Sequence, residues 1–118
     1  MEKLKKLKLN KEFKRAYGRG RCFVHSSVVP YIVKNRENGV RIGITSGKKI
    51  GTAVKRNRAR RVIIAAFRGC LPYIDCRGFD IVFVARARTP QMNSNKLKEV
   101  MMRQFSDAGM LKNETDID

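Results

Sequence analysis

The chain is organised around one stretch, residues 55–68, which reads Lys55-Arg56-Asn57-Arg58-Ala59-Arg60-Arg61-Val62-Ile63-Ile64-Ala65-Ala66-Phe67-Arg68. Its apolar residues recur at the spacing i, i+3, i+4, i+7, which places them on one side of a helix: Ala59, Val62, Ile63 and Ala66. Thr52 can cap the start of that helix, and Leu71-Pro72 stops it just beyond Arg68. The stretch therefore predicts an amphipathic helix that packs one side on a core and presents cations on the other.

Positive charge is concentrated in this part of the chain. Five of the first seven residues of the stretch are cationic, and no acidic residue lies between Asn38 and Tyr73. The whole chain of 118 residues has 27 Lys and Arg against 10 Asp and Glu, a net charge of +17. A solvated helix face usually mixes charges of both signs, whereas like charges held together favour a polyanion whose counterions they release. We therefore interpret the helix as a nucleic-acid-binding surface in preference to a solvated face.

Length and composition are those of one compact domain spanning residues 1–118. Hydrophobic residues make up 42% of the chain, enough for a core, and the two ends, 1–8 and 112–118, are expected to be flexible. The sequence has neither an apolar run that spans a bilayer nor a secretion signal, so we expect a cytoplasmic protein without a membrane partner. Three cysteines fit neither a disulfide framework nor a zinc site, although Cys22-x-x-His25 could be half of one.

Hydrophobic periodicity predicts three helices and four strands. A short first helix begins near Asn10, its predicted N-cap, and the last helix begins at Ser94. The predicted strands are residues 22–24, 28–33, 40–44 and 79–85, the last with both faces buried. Pro30 cannot donate a hydrogen bond, which predicts that its strand lies at a sheet edge or is bulged. The order αβββαβα indicates an α+β sandwich, a four-stranded sheet packed by helices.

Two patterns could indicate chemistry, and neither is complete. Residues 43–49, Gly43-Ile44-Thr45-Ser46-Gly47-Lys48-Lys49, resemble a phosphate-binding loop, but the spacing is one residue short and a lysine stands where the magnesium ligand belongs. A tight glycine-rich turn whose lysines reach phosphates explains the same residues. His25 is the single histidine and the sequence has no clustered carboxylates, so we predict neither a catalytic residue nor a metal site in the protein.

Three aromatic residues have two open interpretations. Phe13 and Tyr17 are four residues apart and share one side of the first helix, and Tyr31 lies on a strand. The three rings could be ordinary core, because such pairs usually pack a helix down. They could also form a platform on which the bases of an unpaired strand stack, whatever its sequence.

The residues around the basic helix resemble a known family. Arg56-Asn57-Arg58, followed by Arg60-Arg61 and preceded by residues 46–54, is similar to the signature of the bacterial ribonuclease P protein subunit. The resemblance includes Asn10-x-x-Phe13-x-x-x-Tyr17 and Arg41-Ile42-Gly43-Ile44, and it extends from about Leu7 to Phe105. Two residues depart from the family pattern: Pro30, in a strand beside the aromatic residues, and Ile64, where a polar residue is common.

The resemblance implies an endoribonuclease that removes the 5′ leader from precursor tRNA. In that enzyme a catalytic RNA performs the hydrolysis with Mg²⁺, which the RNA mainly holds, and one protein monomer binds each RNA. The resemblance also implies a left-handed βαβ crossover. The predicted residues that bind the catalytic RNA are Lys48, Lys49, Lys55, Arg56, Asn57, Arg58, Arg60, Arg61 and Arg68. The predicted residues that bind the precursor tRNA leader are Phe13, Tyr17 and Tyr31.

Two other classes of protein share some of these features. A ribosomal protein or general RNA chaperone would have the same charge, but it gives no reason for three aromatic residues in one cleft. A stand-alone nuclease would need a catalytic site that the sequence does not provide. The class of RNA that co-purifies with the protein separates the first alternative from the family, and cleavage by RNA-free protein would support the second.

Overall fold

A five-stranded mixed sheet forms the centre of the molecule in a computed structural model, which describes residues 4–112. In chain order the elements are β1 (Lys5–Lys6), α1 (Asn10–Arg19), β2 (Arg21–Cys22), β3 (Val28–Lys34), β4 (Arg41–Thr45), α2 (Ala53–Cys70), β5 (Phe79–Ala85) and α3 (Ser94–Asp107). The strands are arranged in the order β1-β4-β5-β3-β2. β1, β4 and β5 run parallel, and β3 pairs antiparallel with both β5 and β2. The predicted α+β class is confirmed.

The sheet has one strand more than the four predicted. Lys5 and Lys6 pair with Arg41 and Ile42, and the Leu7 backbone N–H donates to the Ile42 carbonyl at 2.8 Å. A two-residue strand built from lysines has no side-chain alternation, so periodicity could not detect it. Part of the segment 1–8, expected to be flexible, is therefore held in the sheet. Residues 1–3 and 113–118 of the two expected flexible ends lie outside the described part of the chain.

Pro30 lies in an inner strand, so the prediction of an edge position or a bulge was wrong. The Pro30 carbonyl accepts from the Phe23 N–H at 3.2 Å, so the Pro30 nitrogen also faces β2. The pairing of β2 with β3 ends at this point. Proline has no N–H group to donate to the Phe23 carbonyl. That carbonyl accepts instead from the Gln104 side-chain amide at 2.8 Å. β3 consequently stays regular through Pro30, and pairing with β5 is unbroken.

The main core lies between one face of the sheet and helices α2 and α3. α2 buries one stripe against this face, and its members are Ala59, Ile63, Ala66, Phe67 and Cys70. Phe67 packs against Phe83 of β5 and Phe105 of α3, with ring centroids 5.4 and 6.0 Å away. The predicted amphipathic helix is confirmed, and it begins at the predicted cap, because the Thr52 hydroxyl accepts from the Lys55 N–H at 3.3 Å.

A smaller core lies on the opposite face of the sheet, under α1. Ala16 and Leu7 pack there against Val82 of β5. Asn10 is the first residue of α1, not its cap as predicted, and the Glu12 carboxylate accepts from the N–H groups of Lys8 and Leu9 instead. One short helix covers this face where two longer helices cover the other, so part of it is accessible to solvent. The hand of the β4–α2–β5 crossover stays a prediction from the family resemblance.

Candidate nucleic-acid interface

The basic helix surface is the outward side of α2 together with the turn that precedes it. We define it by the nine residues predicted to bind the catalytic RNA: Lys48, Lys49, Lys55, Arg56, Asn57, Arg58, Arg60, Arg61 and Arg68. All of them are exposed except Arg56, which is half-buried. The structure therefore places the predicted set along α2 and the turn before it; Arg56 lies in line with the buried Ala59 and Ile63, and the other eight residues are exposed.

The turn before α2 is joined to the helix by a side-chain contact. The Arg60 Nε donates to the Ser46 hydroxyl at 3.0 Å, across 14 residues of sequence. This contact holds the end of β4 against the first turns of α2 and orients the Arg60 guanidinium at the junction. Val54, 74% exposed beside Lys55, gives the same surface an apolar position among its cations. Cations with an occasional apolar group suit the phosphates and exposed base or ribose faces of a folded RNA.

The ring surface, defined as Phe13, Tyr17 and Tyr31, lies on the opposite face of the sheet. The rings of Tyr17 and Tyr31 meet edge to face, with centroids 5.0 Å apart and planes at 86°. Tyr17 is 42% exposed, and Phe13 and Tyr31 are half-buried. The structure brings all three predicted residues together, and none of the rings is sealed in the core.

The floor beside these rings is a row of residues directly opposite one another on neighbouring strands. Gly43, Val82, Tyr31 and Cys22 form this row across four strands. Gly43 leaves room for the Phe13 ring, because a Cβ built there would lie 2.6 Å from the ring Cε1. The next row contains Thr45 and Val84, both half-buried on the side where α1 leaves the sheet uncovered. The rings therefore lie beside partly exposed positions on this face of the sheet.

A buried ionic network that the sequence patterns did not predict holds α1 over this face. Asp80 of β5 has a side chain only 1% exposed, and it accepts from Arg41 Nε and Nη2 at 2.9 and 2.8 Å. Arg41 Nη1 donates in turn to Glu12 of α1 at 2.7 Å. The signal for this network in the sequence was an aspartate inside an otherwise apolar strand, since a buried carboxylate requires a paired cation.

The pKa shifts in the network follow from these contacts. The backbone N–H groups of Leu9 and Lys8, with a smaller contribution from Arg41, hold the pKa of Glu12 below its ordinary value. The hydrogen bond to Asp80 is the main cause that raises the pKa of Arg41. Both groups are therefore stabilised in their charged forms.

Other candidate chemistry is not brought together. His25 Nδ1 accepts from the backbone N–H of Ser27 at 3.0 Å, a local turn contact. Within residues 4–112, His, Cys, Asp and Glu side chains form no group of three that could hold a metal ion. Cys70 and Cys76 are buried, and Cys22 is exposed beside Tyr31. None of the helices described by the structure has the length and apolar character needed to cross a membrane.

Comparisons with known proteins identify the family of the chain. A family model described as Ribonuclease P matches residues 1–109. The chain is 33% identical over 105 residues to the ribonuclease P protein component of Clostridium botulinum (strain 657 / Type Ba4), covering 89% of this chain and 95% of that protein. It is 42% identical over 82 residues to the ribonuclease P protein component of Clostridioides difficile (strain 630), covering 70% of this chain and 72% of that protein.

Solved structures show the same fold. The RNase P protein of Staphylococcus aureus matches with a TM-score of 0.77 and 27% identity, over 93% of this chain and 100% of that one. The RNase P protein of Thermotoga maritima matches with a TM-score of 0.73 and 25% identity, over 85% of this chain and 94% of that one. The chain therefore belongs to the ribonuclease P protein family, the protein components of a tRNA-processing endoribonuclease.

Proposed function

We propose that this protein helps ribonuclease P remove the 5′ leader from precursor tRNA by holding two RNAs on opposite sides of its sheet. The catalytic RNA binds the basic helix surface, and the single-stranded leader binds the ring surface. One protein binds each catalytic RNA, in the cytoplasm. The observation that carries the proposal is the separation of the two surfaces, because α2 and α1 pack against opposite faces of one sheet.

The basic helix surface is suited to folded RNA. All its members except Lys48 and Lys49 lie on one helix, whose backbone is anchored by the buried stripe. No acidic residue lies between Asn38 and Tyr73, so the phosphates of a docked RNA meet no opposing carboxylate from this part of the chain. Contacts of this kind are largely independent of sequence and weaken as salt increases.

The ring surface is suited to an unpaired strand. Tyr17 exposes 42% of its surface and is supported from below by Tyr31, so a base can stack on it without displacing the protein core. Such stacking contributes about 1–3 kcal/mol per base and accepts any base. The mature tRNA lacks the leader, so this contact favours substrate over product, and it anchors the strand that contains the scissile bond.

Bond cleavage itself is the task of the catalytic RNA with Mg²⁺ held mainly by that RNA. The protein's residues bind and orient the two RNAs and take no direct part in proton transfer at the scissile phosphate. In support, the single histidine makes a backbone contact, and the carboxylates nearest the ring surface are engaged with Arg41. A co-purification that recovers a discrete catalytic RNA, and not ribosomal RNA, would distinguish this role from that of a general RNA chaperone.

The test compares precursor and mature tRNA binding by the holoenzyme reconstituted with its RNA subunit. We expect Tyr17→Ala to weaken precursor binding by about tenfold or more, from the ~1–3 kcal/mol of one stacked base, and to leave mature tRNA binding unchanged. Tyr73→Ala is the matched control, since Tyr73 is 39% exposed and follows α2 on the other side of the sheet. Equal precursor and mature tRNA affinities in the unmodified holoenzyme would refute the proposal.

The complementary variant is Arg58→Ala. It should weaken assembly with the RNA subunit and reduce the salt dependence of assembly by about one phosphate contact, while the preference for precursor over mature tRNA stays in the assembled enzyme. Arg103→Ala removes the same charge from an exposed position on α3 and controls for net charge. If Tyr17→Ala and Arg58→Ala each reduced assembly and leader preference together, the division of labour would be wrong.

A further inference from the structure

We infer that Arg41 and Glu12 are positioning residues for the leader: their ion pair sets where α1 lies over the sheet, and hence the shape of the ring surface. This inference rests on the proposed function, because it concerns how the same surface is formed. Neither residue belongs to the ring surface, and the basic helix surface is built on the other side of the sheet.

The ion pair ends a continuous ionic chain from the centre of the sheet to the start of α1. At the centre of the sheet, the Asp80 carboxylate accepts two hydrogen bonds from Arg41 and one from the Asn35 amide at 2.8 Å. Arg41 uses its third nitrogen for one oxygen of Glu12 at 2.7 Å. The other Glu12 oxygen accepts from the first backbone N–H groups at the helix start, at 3.0 and 2.9 Å. Each partner in the chain is therefore oriented by the previous one.

The position of the helix start determines the position of the rings. Phe13 follows Glu12 directly and rests on Gly43, which lies two residues after Arg41 on the same face of β4. Tyr17 lies one helical turn after Phe13 and contacts Tyr31 of β3, which is two strands from β4 in the sheet. A shift or rotation of the first turn of α1 would therefore change both the seat of Phe13 and the edge-to-face contact of the tyrosines.

The guanidinium geometry is essential to this function. Arg41 contacts three carboxylates through its planar guanidinium, those of Asp80 and Glu12 and, from Nε at 3.0 Å, that of the exposed Glu37, and its side chain is only 22% exposed. A lysine retains the charge but presents a single point donor, which cannot hold Asp80 by two bonds and Glu12 by a third. Arg15 of α1 adds a longer contact to Asp80, 3.8 Å, and donates to the Lys34 carbonyl, which leaves the fork of Arg41 as the direct link to the helix start.

Two variants test this positioning in the reconstituted holoenzyme. Glu12→Gln removes a negative charge, so long-range electrostatics alone would strengthen the binding of any RNA. Loss of positioning has the opposite effect: we expect precursor affinity to fall by about threefold to tenfold relative to mature tRNA, within the range of coupling between neighbouring residues. Glu99→Gln, the same change at an exposed site on α3, should leave the ratio of precursor to mature affinity unchanged.

Arg41→Lys distinguishes positioning from a direct contact with the leader. If Arg41 contacted a leader phosphate directly, lysine would retain the contact and the preference for precursor. If Arg41 positions α1, Arg41→Lys should lose as much of this preference as Glu12→Gln does. The double variant should then lose no more of it than either single variant. The cleavage rate at saturating precursor should change less than precursor affinity does. A wild-type ratio of affinities in Glu12→Gln, or an additive double variant, would overturn the inference.

Three further outcomes distinguish failure of this inference from failure of the proposed function. If both variants lost RNA-subunit assembly in parallel with leader preference, the network would be a general structural element and the inference would be wrong. If Tyr17→Ala also left leader preference intact, the proposed function itself would fail. Loss of preference in Tyr17→Ala but not in Glu12→Gln or Arg41→Lys would overturn the positioning role alone.

Discussion

Replacing Gly43 by alanine tests the contact between α1 and the sheet at a single atom. The added Cβ would lie 2.6 Å from Cε1 and 2.7 Å from Cζ of Phe13, whereas ordinary contacts begin at 3.4 Å. The Phe13 ring must therefore move by about 0.8 Å, the difference between 3.4 and 2.6 Å. Phe13 lies between Glu12, held by Arg41, and Ala16, buried against Val82, so we expect the displaced ring to tilt the helix.

We expect Gly43→Ala to lower the free energy of unfolding by about 1–2 kcal/mol. Overpacking a well-filled site costs about 1–3 kcal/mol, and alanine recovers about 0.5–1 kcal/mol of the entropy that glycine loses in a strand. Urea unfolding followed by circular dichroism measures the difference. Gly39→Ala, just before the same strand, is the matched control because nothing lies within 4 Å of its Cβ.

The same variant should weaken the preference for precursor tRNA by about threefold to tenfold, because a tilt of α1 disturbs the contact between Tyr17 and Tyr31, a pair of the kind that contributes about 0.5–1.5 kcal/mol. Assembly with the RNA subunit should not change. A double-mutant cycle with Phe13→Ala sharpens the result, since a site that has lost the ring should accept alanine at position 43 without further cost. Gly43→Ala with wild-type stability and wild-type leader preference would refute the reasoning.

Three further predictions concern other parts of the molecule. Thr52→Ala should lower the free energy of unfolding by about 1 kcal/mol in urea, because it removes the N-cap of α2, and Thr52→Ser should restore it. The folded pKa of Glu12 is lowered, so its stabilising effect is present above the unfolded value and is lost as pH falls through the folded one. Stability of Glu12→Gln should therefore depend less on pH in the acid range than that of the unmodified protein, and identical acid unfolding curves would contradict this. A thiol reagent at pH 8 should modify only Cys22 in the folded protein and all three cysteines in urea, because burial raises the pKa of the other two, to about 12 for Cys70 and about 11 for Cys76.

Elements whose signal is local could be predicted from the sequence. α2, β5 and α3 have apolar residues at their own period, and Thr52 caps α2 as predicted. Two predictions that failed, the strand count and the edge position of Pro30, concern pairing between distant segments, whereas the Asn10 cap failed locally because Glu12 accepts from the N–H groups at the helix start. Pro30 was assigned to an edge because a proline lacks a donor, but the position of a strand in a sheet depends on partners far along the chain.

The candidate site shows the same limit. The nine residues of the basic helix surface and the three of the ring surface could be selected by charge, spacing and family resemblance, and the structure brings each set together. The support beneath the rings could not be selected, because Arg41 and Asp80 are 39 residues apart and Glu12 is 29 residues from Arg41. Gly43 was visible as part of a glycine-rich turn, but its use as a seat for Phe13 depends on where α1 crosses the sheet.

The basic helix surface and the ring surface differ in how precisely their residues must be positioned. Phosphate contacts on α2 tolerate small displacements, because Coulomb forces change gradually with distance. Stacking on Tyr17 does not, since the interaction depends on ring geometry. The basic helix surface is formed mainly by a single long helix. The ring surface is held in place by the buried Asp80 carboxylate, by the guanidinium of Arg41 and by the contact of Phe13 with Gly43. Because β5 contributes Ile81 and Phe83 to one core and Asp80 and Val82 to the other face, the two surfaces rest on opposite sides of the same buried strand. Substitutions on α2 should therefore leave the ring surface intact, which is why the assembly and leader-binding variants are expected to separate.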